Sequence, residues 1–420
     1  MVPASPSVVS VQPVHPNTNS HQSLHTPNRL VELVLAFLRL GCISFGGPVA
    51  HLGYLHEEFV TKRRWLDEKS YSDLVALCQF LPGPASSQLV FALGMLRAGV
   101  LGGLLASFCF TIPSAMIMIL FAYSVSASGN LQNVGWLHGL KLAAVAVVAQ
   151  AVWGMGKKLC PDRNRITIAL GSAVFVLLFS GPSSQVGAIL LGALLGWMLY
   201  RHAVFPIQNH GRDQLTGRHF WAAATLVVFF GMLFLLPVVV TLSGSFPIRL
   251  FDSFYRSGAL VFGGGHVVLP LLRAEVVPQG WMSDGAFLAG YGAAQAVPGP
   301  LFTFAAYLGT LITGGPHAWA GGLWCLLALL LPGWLLIAGT LPFWHLIQSK
   351  KWAQAALCGA NAAVVGILLA ALYNPVWKQG VTNAHDVATV FGAFALLEVW
   401  KAPPWLVVLA AAAAGQWLLS

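Results

Sequence analysis

Four short stretches concentrate the groups that could do chemistry in an otherwise apolar chain. Phe45-Gly46-Gly47-Pro48 is followed by Gln79-Phe80-Leu81-Pro82-Gly83-Pro84, and Phe262-Gly263-Gly264-Gly265-His266 by Gln295-Ala296-Val297-Pro298-Gly299-Pro300. Glycine admits positive φ and close backbone approach, while proline removes an N–H and clashes with the preceding turn. Each stretch should therefore interrupt a helix and free backbone N–H and C=O groups inside apolar sequence. At membrane depth such groups are tolerated only where they face protein, water or a ligand. A helix that starts after Pro48 or Pro84 aims unpaired N–H groups and the positive end of its dipole at the break, which suits an anion. Ser86, Ser87 and Gln88 in the first turn after Pro84, and Thr303 after Pro300, add hydrogen-bonding side chains. Simple kinking for packing is the competing reading, and the recurrence of two breaks in each half argues against it.

Charged residues near the breaks are few. Arg39 and Arg256 each lie six residues before a Phe-Gly-Gly. An intramembrane arginine is costly and marks a functional site by default, and its planar guanidinium can bond two oxygens of a tetrahedral oxyanion. Snorkelling to the membrane surface is the alternative for both. His51 and His266 read as polar residues lining a cavity. Glu57, Glu58, Asp67, Glu68, Glu275 and Asp284 read as loop charges or helix caps, and Lys141 as a surface anchor. No nucleophile–base set, no metal-ligand spacing and no Walker loop is present in the sequence, so neither an enzyme nor an ATP-driven pump is expected, and no cofactor.

The elements that must position these residues are membrane helices. With 57% hydrophobic and 8% charged residues, the chain is too apolar for a soluble domain. Its long apolar runs are continuous rather than alternating, which excludes barrel strands. The net charge of +9 is scattered through short loops as an orientation signal, so nucleic acid is not an expected partner and membrane lipid is. Residues 1–28 are Pro-, Ser-, His- and Asn-rich and read as a disordered tail. The six cysteines show no CxxC spacing and read as buried thiols.

Self-comparison shows a duplication. Phe37, Arg39, Gly41 and Phe45-Gly46-Gly47 pair with Phe254, Arg256, Gly258 and Phe262-Gly263-Gly264 at an offset of 217. Trp65, Gln79 and the Pro-Gly-Pro pair at 216, Gly102-Gly103 and Pro113 at 219, and Gly139 with Gly359 at 220. Lys141 falls opposite Asn361 in this register. The chain divides into the tail 1–28, a repeat over 29–200, a loop and connecting helix over 201–245, and a second repeat over 246–419. Basic residues at 157–165, 201–218 and 350–351 place three loops in the cytoplasm. Parity then turns the second repeat upside down relative to the first, with the N-terminus cytoplasmic and the C-terminus outside. The turn with Lys62, Arg63, Arg64 and Lys69 favours re-entrant hairpins over full crossings. The expected fold is an all-α polytopic membrane protein of two inverted repeats with discontinuous helices, in about nine to thirteen membrane segments. Inverted repeats with broken helices point to a secondary transporter whose site lies where the breaks meet.

The paired stretches resemble the chromate ion transporter family, in its long, two-domain form, over nearly the whole chain after the tail. The resemblance implies a bacterial-type inner-membrane carrier that expels chromate and confers resistance, with sulfate as the related oxyanion. It also implies that the residues of the four stretches contact substrate. A sulfate or other small-anion exchanger is the alternative function, with a membrane-embedded enzyme or scaffold behind it. A homodimer is left open.

Overall fold

The computed structural model describes residues 27–127, 135–179, 182–201, 219–262, 265–316, 318–343 and 350–419, so the expected tail and most of the loop over 201–218 lie outside the described residues. The described chain is helical throughout. In the first half α1 (Pro27–Ile43), α2 (Gly47–His56, extended by a wider turn Glu57–Lys62) and α3 (Glu68–Phe80) precede a long helical run, Ala85–Ala127. That run is two helices: Ala98 (φ −145°, ψ 27°) and Gly99 (φ 70°, ψ −167°) leave helical geometry. A Cβ on Gly102 would lie 2.5 Å from the Gly94 carbonyl oxygen, so the chain has doubled back there. We call the two arms α4 (85–97) and α5 (100–127). Then come α6 (Gly135–Leu159), α7 (Arg163–Leu178), α8 (Pro182–Tyr200) and the connector α9 (His219–Ser243).

The second half repeats this order. It comprises α10 (Phe246–Ala259), α11 (Val268–Val276, after a tight turn Gly265–Val267) and α12 (Asp284–Ala296). After these come α13 (Phe304–Leu311, after Leu301–Thr303), α14 (Trp319–Thr340), α15 (Lys351–Ala371, extended through Trp377), α16 (Ala384–Glu398) and α17 (Pro404–Leu419). Six helical runs, including those holding α5, α6, α8, α9, α14 and α15, are long and apolar enough to cross a membrane. The shorter α7, α16 and α17 complete the two halves. α9 is mostly exposed along its length and touches the second half alone, for example where the Tyr255 hydroxyl donates to the Phe229 carbonyl at 3.0 Å. That placement suits lipid contact.

Each broken segment turns back on itself as a hairpin. The Phe37 and Phe59 rings stack 4.8 Å apart, and Arg63 reaches back to Glu32 at 2.7 Å, so α1 and α2 form a hairpin. Arg97 at the end of α4 returns to the same place, bonding Glu32 at 3.1 Å and covering the Trp65 ring at 4.8 Å. α3 and α4 are therefore a second hairpin that opens at the same end as the first. In the other half Phe246 and Trp281, whose rings lie 5.2 Å apart, close the equivalent ends. The brace between hairpins is also repeated: His56 to Glu68 and Arg273 to Asp284, each at 2.7 Å, occupy matching positions. Of the acidic residues read as caps or loop charges, Asp67 does cap α3 through the Ser70 N–H, whereas Glu58 is buried against Arg63. Cys42 is exposed, unlike the buried thiol expected there.

The halves interlock through glycines. A Cβ on Gly139 of α6 would overlap the Ala411 carbonyl of α17, and one on Gly359 of α15 would overlap the Gly192 carbonyl of α8. Each half thus packs its small-residue helix on the last helix of the other, as a pseudo-twofold requires. With no hydrophobic drive between helices in lipid, such close backbone approach supplies much of the association. Gly359→Val should overpack this seam at about 1–3 kcal/mol. The expected outcome is a lower thermal midpoint in detergent, whereas Gly171→Ala, facing open space, should melt like the parent.

Candidate functional site

All four hairpin tips meet in the middle of the molecule. The Gly83 N–H donates to the Val261 carbonyl at 2.6 Å, and the Gly299 N–H donates to the Ser44 carbonyl at 2.8 Å. These two bonds are the same contact, related by the offsets of 216 and 217 that pair the repeats. Each joins the Pro-Gly-Pro tip of one half to the Phe-Gly-Gly tip of the other. Both glycines need their type: Gly83 has φ 124° and Gly299 φ 98°. A Cβ on Gly299 would stand 2.6 Å from the Ser114 Oγ, so neither conformation nor space admits a side chain. Gly46 (φ 99°) and Gly47 (φ 77°) turn the first tip in the same way.

Every hairpin presents the end of one arm and the start of the next at its tip. The carbonyl groups that end α1 and α10 are spent: Ser44 O accepts from Gly299 and faces His51 Nε2 at 3.1 Å, and Val261 O accepts from Gly83. The starts of α2, α4 and the turns leading into α11 and α13 keep first-turn N–H groups with no intrahelical acceptor. Four helix starts converging, with Ser44 O and Val261 O already bonded, bias the centre toward negative ligands.

Side chains around the tips are polar, buried and partly unpaired. Ser44, Ser86, Ser87, Gln88 and Thr303 are each at most 3% exposed. Gln88 Nε2 donates to the Pro82 carbonyl at 2.8 Å and Thr303 Oγ1 to the Pro300 carbonyl at 2.9 Å. The Ser44 and Ser87 hydroxyls, Gln88 Oε1, Gln295 Nε2 and His51 Nδ1 have no protein partner. Buried polar atoms normally find one, so a cluster of exceptions at one place points to a site for water or ligand.

A cavity of about 420 Å³ reaches these tips. Gly83, Ser86, Gln79 and His266 line its floor, Asn361 and Gln150 its wall, and Lys158 and Glu398 its mouth. At the mouth Lys157 and Lys401 also approach Glu398, at 3.8 and 3.2 Å, leaving the entrance net positive. Toward the opposite end α12 packs closely on α6: a Cβ on Gly292 of α12 would overlap the Leu140 carbonyl. Among the described residues α3 forms no matching seam with α15, and the cavity lies there instead. Gln79 is accordingly exposed, while its counterpart Gln295 is half-buried.

Most of the residues expected from the sequence gather here. Gln79, Gly83, Ser86 and His266 line the cavity; Pro82, Pro84, Ser87, Gln295, Pro298, Gly299, Pro300 and Thr303 build or flank the Pro-Gly-Pro tips. Phe45, Gly46, Gly47 and Phe262 form the other two tips, and Gly263 and Gly264 lie outside the described residues. His266 Nδ1 pairs with the Tyr291 hydroxyl at 2.8 Å. His51 sits against the Phe110 ring, 5.6 Å between centroids, rather than in the cavity lining. The two arginines depart from the expectation of oxyanion contact. Arg39 is on the exposed face of α1, and Arg256 is held by Asp252 at 2.9 Å and Glu275 at 3.5 Å. Helical periodicity explains this, because α1 turns Phe37 and Leu40 to the core and so turns Arg39 away. Gln150, Asn361, Lys158 and Glu398 were missed as lining residues. A lone amide in the apolar run of α6, and the pairing of Asn361 with Lys141, were the available signals.

Fold and site define a class: a multi-pass helical membrane protein of two inverted repeats, with four broken helices meeting at its centre. The chain belongs to the chromate transporter family, whose model matches residues 31–197 and 248–416, once in each half. It is 28% identical to the chromate transport protein of Pseudomonas aeruginosa, over 98% of this chain and 97% of that one. A probable chromate transport protein of Synechococcus elongatus is 26% identical over 95% of this chain and 98% of its own. An uncharacterized transporter of Bacillus subtilis is 24% identical over 45% of this chain but 92% of its own length, the size of one repeat. No solved structure matches the chain.

Four substitutions test the geometry. Gly83→Ala and Gly299→Ala, each straining a positive φ and crowding a tip, should cut anion flux in vesicles at least about tenfold with the protein still inserted. Arg39→Gln should leave the apparent anion affinity unchanged, whereas Arg256→Gln, which strands Asp252 and Glu275 without their cation, should lower the yield of folded protein.

Proposed function

We propose that the protein is a secondary carrier that exports chromate from the cytoplasm by alternating access and so confers chromate resistance. The observation that carries this reading is the set of four crossed hairpin tips, reached by a cavity beside α3 and α15, while the equivalent helices α12 and α6 pack closely together. A channel needs a path open at both ends; a carrier holds one gate shut. The positive-inside rule assigns the open end to the cytoplasm, because the mouth residue Lys158 adjoins the basic loop after α6. The same rule puts the N-terminus inside and the C-terminus outside, in a bacterial-type inner membrane. The repeats over 29–200 and 246–419 then act as the two rocking units on either side of the connector helix, and no partner beyond lipid and the anion is needed for transport.

Neutral donors in a dehydrated centre suit a dianion of tetrahedral shape, and first-turn N–H groups and the Ser87 hydroxyl are donors of that kind. Outward movement is favoured energetically. One charge crossing 100 mV is worth about 2.3 kcal/mol, so a dianion leaving a negative-inside cell gains roughly 4.6 kcal/mol. The same donors fit sulfate, which matches chromate in charge and shape, and sulfate exchange is the second reading. Relatives named for chromate transport favour the first.

Everted vesicles held at a set potential should accumulate labelled chromate with saturation. Accumulation of sulfate alone would select the second reading, and uptake of neither would sink both. Single cysteines at positions 63 and 273 should report opposite faces of the membrane, with position 63 cytoplasmic.

A further inference from the structure

Inverted repeats carry information about the opposite-facing conformation, because each half shows the arrangement its partner adopts when the protein faces the other way. Asn361 of α15 lines the open cavity that reaches Gly83 and His266. Its counterpart, 220 residues earlier, is Lys141 of α6. Lys141 lines a separate pocket of about 210 Å³ at the opposite end, with Leu137, Ser283, Asp284, Ala289 and Gln379. The seam between Gly292 and Leu140, one residue from Lys141, stands between that pocket and the tips.

The charge in this small pocket is unbalanced. Asp284 is the one carboxylate in its lining, and Arg273 binds both its oxygens, at 2.7 and 3.0 Å. Lys141 forms no ion pair among the described residues, although it is only partly exposed. A Cβ on Gly285 would lie 3.3 Å from its Nζ, so α12 lies directly over the ammonium. A half-buried ammonium with no counter-ion needs a reason for its place, since a neutral side chain serves at the equivalent position in the other half.

We propose that Lys141 is the anion-binding residue of the opposite-facing state. When the α12–α13 hairpin leaves α6, the Lys141 pocket joins the tips, and Nζ stands where the Asn361 amide stands in the present cavity. The ligand class is a small oxyanion dianion. The two faces of the carrier are then unequal: a cation greets anions from the far side and a neutral amide from the near side. Anions presented at the far face bind more tightly, so they act as exchange substrates and as inhibitors of net export. This inference rests on the alternating-access reading.

The test uses the full-length protein in right-side-out and everted vesicles, with sulfate and chromate as probes. Lys141→Gln should raise the half-saturating anion concentration at the far face about tenfold and leave the value at the Lys158 face within about twofold, and Lys141→Arg should restore the far-face value. A cysteine at position 141 should react with an impermeant thiol reagent from the far face only, one at 361 from the near face only, and sulfate should slow both. Equal effects of Lys141→Gln at both faces, or none at either, overturn the proposal while wild-type flux stands. Labelling of both cysteines from one face overturns it as well, by a readout that needs no flux. Wild-type vesicles that carry neither anion overturn the transport reading and this inference together.

Discussion

Two backbone hydrogen bonds, Gly83 to Val261 and Gly299 to Ser44, hold the centre of this protein together. A backbone group left unpaired in hydrocarbon costs several kcal/mol, so a hairpin that stops half-way through a membrane must find partners for its tip. Here each tip finds them on the other half. The same contact serves twice because the halves are copies in opposite orientation, and neither half can satisfy it alone. This gives a physical reason for fusing two repeats in one chain, and for the size of a half-length relative that covers 92% of its own length.

The bonds also set the electrostatics of the site. Hydrogen-bonding Ser44 O and Val261 O removes two acceptors from the centre, while the helix starts that face it keep their donors. An anion is therefore favoured without an intramembrane arginine in direct contact. Arg256 is neutralised by its own carboxylates and Arg39 is turned outward, so aligned peptide dipoles are the positive groups left at the tips in the proposed function. Such dipoles carry no counter-ion to be displaced, and they move with the hairpins.

The proposed alternating access rests on a departure from symmetry. Sequence-equivalent residues sit in unequal surroundings: Gln79 exposed and Gln295 half-buried, Asn361 in a wide cavity and Lys141 in a small one. The tip bonds stay paired while the seams at the two ends differ, as expected if hairpins rock about a fixed centre. The glycine contacts of Gly139 and Gly359 lie in the interlocked helices, which form the frame for that motion.

Much of this was legible in the residues themselves. Hydropathy gave membrane helices, Gly and Pro in apolar runs gave their breaks, and the offsets of 216 to 220 gave a duplicated chain, because those features depend on local backbone chemistry and on order alone. Loop charge was enough to suggest the inversion and to favour re-entrant segments. Tertiary structure decided what contacts what. The doubling back at Ala98 and Gly99 joins two helices in one apolar run that composition cannot divide. Which face of α1 carries Arg39, which tip bonds which, and which end is open depend on packing between residues far apart in the chain. A lysine and an asparagine at matching positions look like unrelated surface residues until the fold sets one in the open cavity and the other beneath α12.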